Sequence, residues 1–143
     1  MTGPILCAVD VSNGNDDIQT IKAAQEMATL RNKQLDVIAV IPDFGMSSVG
    51  SFFSKDHHDH MLEEAKNLLN TLACEALGAE ANAKLRHVVA TGRAYEEVLS
   101  LADQTRPSMI VVGSHKADRS HYMLGPNAAR IVRHAHCSVY VVR

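Results

Sequence analysis

Five short apolar runs, separated by four helical patterns, constrain this chain more than any other feature. The runs are Ile5–Val9, Leu35–Ile41, 85–89, 109–112 and 139–142. Each is short and most are rich in β-branched residues, which predicts strands. The first, fourth and fifth barely alternate between apolar and polar positions, so they read as strands covered on both faces of a parallel sheet. Leu85-Arg86-His87-Val88 does alternate, which suits a more exposed, edge-like strand.

The gaps carry helical periodicity. Residues 16–31 place Ile18, Ile21, Ala24 and Ala28 along one stripe. Lys55–Leu77 does the same with Leu62, Ala65, Leu69, Leu72 and Ala76, and Gly78 follows as a C-terminal stop. Residues 93–105 carry Tyr95, Val98, Leu99 and Ala102. Residues 121–135 carry Leu124, Ala128, Ile131, Val132 and Ala135, with Arg130, Arg133 and His134 suited to the negative end of the helix dipole. Strict β-α alternation predicts an α/β fold: a five-stranded parallel sheet between two helical layers. In such sheets ligands bind beyond the carboxyl ends of the strands, where the strand order reverses.

A chain of 143 residues fits a single domain spanning 1–143. Hydrophobic residues make up 46% but aromatics only 4%, so the core must be aliphatic. The net charge of -2 gives no electrostatic reason to expect a nucleic-acid partner. No apolar run approaches the ~20 residues a membrane span needs, and residues 1–10 lack the basic start of a signal peptide. Cys7, Cys74 and Cys137 are odd in number, far apart and outside any CxxC pair. They read as free thiols of a reducing, cytoplasmic compartment.

The stretch Val111 to Arg130, VVGSHKADRSHYMLGPNAAR, holds the strongest candidate chemistry. A buried strand ends at Gly113, a polar loop follows, and Gly125 precedes the amphipathic segment with Asn127 and Ala128. Glycine lets backbone N–H groups approach an anion, and a helix N-terminus adds unpaired donors with a favourable dipole. Lys116 and Arg119 could add charge to a phosphate grip. A plain strand–loop–helix connection explains the same spacing, since two glycines are a weak signal. Asp10 ends the first strand. Its carboxylate either accepts a hydrogen bond from a ribose hydroxyl or adenine amine, or caps the turn Val11-Ser12-Asn13-Gly14. Residues 42–54, PDFGMSSVGSFFS, form either a flap over the ligand side or a loosely ordered connection.

Other clusters carry less. His57, His58, Asp59 and His60 are adjacent, so they point in different directions on a helix and do not make a zinc geometry. They read as a solvated helix start. His134 and His136 flank a helix end, where packing and the dipole account for them. Ser114 and His115 have no third residue to complete a triad, and there is no Walker lysine. No catalytic set is expected.

Ala8-Val9-Asp10-Val11-Ser12, Val112-Gly113-Ser114-His115 through Gly125, and the ending Ala135-His136-Cys137-Ser138-Val139-Tyr140-Val141-Val142-Arg143 resemble the universal stress protein family, over essentially the whole chain. The resemblance implies a Rossmann-like sheet of order 3-2-1-4-5 and a homodimer paired through the last strands. It also implies ATP or AMP between the first and fourth strands, with no metal beyond a nucleotide-bound magnesium. Ala8, Val9 and Asp10 would meet the adenosine portion, and Val40 would give its backbone to adenine. Val112, Gly113, Ser114 and His115 would line the ribose and phosphates. Gly125, Pro126, Asn127 and Ala128 would hold the phosphates.

Two departures from the family pattern narrow this. The pattern runs glycine, two residues, glycine, nine residues, glycine, then Ser or Thr. Here Lys116 stands at the second glycine, and only eight residues separate it from Gly125. The shorter loop resembles a subgroup of the family. Pro126 replaces the Ser or Thr, removing a hydroxyl and one N–H, although proline suits a first helical turn. Adenosine or AMP is therefore expected ahead of a tightly held triphosphate. The function implied is a dimeric cytoplasmic stress-response module with at most slow ATP hydrolysis. The alternative is a nucleotide-free interaction protein that recognises a protein partner through its dimer surface and the loop around Phe52-Phe53.

Overall fold

The apolar runs pair as a single parallel sheet. In the computed structural model, residues 2–13, 17–42, 55–114 and 125–143 are described. The strands are β1 (Ile5–Val9), β2 (Leu35–Ile41), β3 (Arg86–Thr91), β4 (Met109–Gly113) and β5 (Ser138–Val142). They lie in the order β3-β2-β1-β4-β5, each neighbouring pair parallel. The helices are α1 (Ile18–Arg31), α2 (Lys55–Leu77), α3 (Ala79–Ala83), α4 (Ala94–Thr105) and α5 (Pro126–His134).

The period-two geometry of a strand explains why the runs of β1 and β4 are apolar throughout. Ile5, Cys7, Val37, Ala39 and Val111 pack with Ile21, Ala24 and Ala28 of α1 and Leu69, Leu72 and Ala76 of α2. Leu6, Ile38, Ile110 and Val112 point the other way, onto Val98 and Leu101 of α4 and Ala128 and Ile131 of α5. Both faces of the sheet's centre are thus covered by helices, and Asp36 of β2 is the one buried carboxylate on a strand among the described residues. Each fully buried aliphatic side chain contributes about 1.5–3 kcal/mol.

Three sequence expectations need correction, and one, Gly78 as the stop of α2, holds with an addition. β5 is not covered on both faces: it ends the sheet with a strand on one side only, and Tyr140 is 40% exposed. Gly78, at φ 88, does end α2, and its N–H donates to the Cys74 carbonyl, but the short α3 begins directly after it. The predicted helix over 121–135 begins only at Pro126. Gly125 is extended (φ -62, ψ 161) because a residue before proline is disfavoured in the helical region, while residues 121–124 lie outside the described residues. The edge strand β3 runs from Arg86 to Thr91, one residue later at its start and two at its end than expected. Of the 42–54 segment, only Pro42 is among the described residues. No helix among the described residues is long and apolar enough to cross a membrane.

Candidate functional site

The sheet order reverses between β1 and β4, and an open crevice of about 1220 Å³ lies beyond their carboxyl ends. Register brings Ala8 beside Val112 across the two strands. The crevice is lined by Ala8, Val9, Asp10, Val40, Val112, Gly113, Gly125, Pro126, Asn127 and Ala128. These residues come from β1, β2, β4 and α5, so the fold gathers positions that are more than a hundred residues apart. Ser114 adjoins them, but its N–H donates to the Val142 carbonyl at 2.8 Å, extending the β4–β5 ladder. His115 and Lys116 lie outside the described residues.

Asp10 satisfies the turn reading. Its Oδ1 accepts from the Ser12 N–H at 2.9 Å and from the Ser12 hydroxyl at 2.6 Å. The residue is nonetheless exposed at the crevice, and a carboxylate has further acceptor positions. Asp17 holds it in place. Asp17 stands at the start of α1 but does not cap that helix with its side chain. Instead its Oδ2 accepts the Asp10 N–H at 2.7 Å, and its Oδ1 accepts the Thr20 hydroxyl at 2.9 Å. At 3% exposure Asp17 needs those partners, because a buried unpaired carboxylate is costly. The nearby Cys7 thiol is pushed well up, first by complete burial and second by the Asp17 charge. It is a structural thiol, not a nucleophile.

Two helix starts meet on the other wall. Pro126 occupies the first position of α5, and among the described residues no side chain caps that helix. The first intrahelical bond runs from the Ala129 N–H to the Gly125 carbonyl at 2.9 Å. The N–H groups of Asn127 and Ala128 therefore precede the intrahelical ladder. The Asn127 side chain turns aside: its Oδ1 accepts the Tyr95 N–H at 3.2 Å, serving the start of α4. Tyr95 in turn carries the Arg130 guanidinium over its ring, 4.6 Å from the centroid. Arg93 pairs with Glu96 at 3.5 Å.

Sequence reasoning missed several lining residues. Asp17, Arg93, Tyr95 and Arg130 belong to the crevice, as do Met61, Glu64, Ala65 and Leu68 of α2. The α2 set recurs at three- and four-residue steps, so it was detectable as a second helical stripe. Tyr95 was visible only as part of the α4 stripe and Asp17 left no such trace, because their roles depend on contacts with Asn127 and Asp10. Asp10, Asp17, Glu64, Glu96 and Glu97 make the described rim more acidic than basic, with Arg93 and Arg130 as the cations. Among the described residues no group of three or more His, Cys, Asp or Glu is placed to hold a metal ion, and His57 to His60 are exposed on α2.

Comparison with known proteins agrees with this architecture. Universal stress protein G of Escherichia coli O157:H7 is 26% identical over 141 residues, covering 97% of each chain. The solved structure of the universal stress protein UspA from Lactobacillus plantarum has a TM-score of 0.67 at 19% identity, with 100% of both chains covered. That of the universal stress protein from Archaeoglobus fulgidus in complex with dAMP has a TM-score of 0.58 at 17% identity, again over 100% of both. Residues 1–143 match the universal stress protein family throughout. The chain belongs to the universal stress protein family.

Proposed function

We propose that this chain is a regulatory module that binds an adenosine monophosphate between the ends of β1 and β4. The observation that carries the reading is the start of α5, which no described side chain caps, with the Asn127 and Ala128 N–H groups on the same crevice as Asp10. Such a helix start favours an anion through its donors and its dipole. Asp10, steadied by Asp17, offers a carboxylate suited to ribose hydroxyls. Val40 brings backbone at the end of β2 to an adenine ring, and Ala8, Val9, Val112 and Gly113 supply the apolar floor. The Archaeoglobus fulgidus relative solved with dAMP lends support, since dAMP is an adenine monophosphate.

A monophosphate suits this site better than a triphosphate. Pro126 supplies neither a hydroxyl nor an N–H. The carboxylates of the rim oppose each added phosphate charge through an interaction that salt only partly screens. His115, Lys116 and Ser114 complete the proposed phosphate side. The same reading takes residues 1–143 as one cytoplasmic domain that pairs as a homodimer through β5. Exposed Tyr140 on an edge strand favours that pairing. The proposed role is binding: among the described residues of the crevice no set is arranged as nucleophile, base and orienter.

The test is to purify the chain from cells without added nucleotide, release small molecules with acid and identify them by mass. AMP at a substantial fraction of the chain concentration is expected. A chain that releases no nucleotide and takes up none from solution would favour the interaction protein, whose partner contacts would be indifferent to Pro126→Ser.

A further inference from the structure

We propose that Arg130 is the side chain by which this chain recognises the phosphate of a nucleoside monophosphate, a reading that rests on the crevice being an adenine-nucleotide site. Arg130 lies four positions after Pro126 and three after Asn127 on α5. Those spacings put it on the same face as the helix start. Helical side chains also lean toward the N-terminus, which carries the guanidinium back over the first turn, where the Asn127 and Ala128 N–H groups begin.

The group is held for such a role. Its Cζ sits 4.6 Å from the centroid of the Tyr95 ring. Tyr95 is held at both its backbone and its hydroxyl. Its backbone N–H donates to Asn127 Oδ1 at 3.2 Å, and its hydroxyl donates to Glu96 Oε1 at 3.1 Å. A contact with the ring face uses none of the five guanidinium N–H donors. The other lining arginine, Arg93, is paired with Glu96 at 3.5 Å. Among the described residues Arg130 makes no ion pair. A planar fork of donors matches two oxygens of one phosphate, a geometry lysine lacks.

The experiment is calorimetric titration of the full chain with AMP and with adenosine, for wild type, Arg130→Gln and Arg130→Lys. Arg130 is exposed, so the variants should fold, and their circular dichroism spectra check this. Arg130→Gln should weaken AMP at least ~10-fold, in line with loss of a charge-assisted contact, and move adenosine less than ~2-fold. Arg130→Lys should fall between wild type and Gln for AMP. If AMP binds the Gln variant as tightly as wild type, or if AMP and adenosine weaken in parallel, the assignment to Arg130 is overturned while the nucleotide site stands. If wild type binds neither ligand, both the site and the assignment fall.

Discussion

Asp36 is a carboxylate buried to 1% exposure near the amino end of β2, far along the strand from the crevice. Its Oδ2 lies 3.8 Å from Arg86 Nη1, and its Oδ1 has no hydrogen-bond partner among the described residues. Burial raises its pKa, and the Arg86 charge offsets only part of that rise. A carboxyl whose pKa is higher folded than unfolded binds more protons when folded, so stability declines as pH rises past the ordinary carboxylate value. Asp36→Asn should therefore be more stable than wild type at pH 7, since Arg86 is exposed enough to be solvated alone. The advantage should shrink as pH falls toward 3.8, the ordinary Asp value. Urea denaturation of both proteins across that range checks it. Gly92 makes a different demand. At φ 142 it holds a conformation few other residues adopt, and an added Cβ would sit 2.8 Å from Glu97 Oε1. Gly92→Ala should cost about 1–3 kcal/mol, read as a lower urea midpoint. Residues differ in how far the sequence announces them. Asp10 was legible because it directly follows the apolar run Ile5–Val9. Asp17 and Tyr95 were not, because their hydrogen bonds to Asp10 and Asn127 exist only after α1, α4 and α5 have docked.

Elements were easier to read than side-chain roles, and the failures have local causes. The central strands were visible because both faces of β1 and β4 are buried, leaving uninterrupted apolar runs. β5 has the same composition but an uncovered side, and composition alone does not separate burial under a helix from exposure at an edge. The start of α5 was placed too early because the apolar period runs back through Leu124, while the pre-proline constraint at Gly125 sets the boundary. That boundary matters for the site. Pro126→Ser should restore a donor and a hydroxyl at the first turn, tightening AMP several-fold while leaving adenosine unchanged, as titration of both ligands would reveal. Within the layers, Leu69→Ala should cost about 2–5 kcal/mol, because α2 holds this fully buried residue against the sheet. A chemical denaturation curve with an unchanged slope is the check.

At the scale of the molecule, the order β3-β2-β1-β4-β5 follows the family to which the chain belongs, and the sequence resemblance conveyed it where periodicity alone could not. Periodicity counts strands and helices, but it does not say which strand lies beside β1. The reversal of order between β1 and β4 creates the crevice, and α4 and α5 bring their starts together on its rim. The proposed homodimer belongs to this scale too. Replacing exposed Tyr140 with Asp should shift sedimentation from dimer toward monomer, whereas a wild type that sediments as a monomer would remove the basis for pairing through β5. The central claim is that the crevice binds an adenine monophosphate, and the most direct measurement is calorimetric titration of the nucleotide-stripped chain with AMP. A saturable heat at one site per chain, diminished by Asp10→Ala, is expected. No saturable heat at millimolar AMP would contradict it.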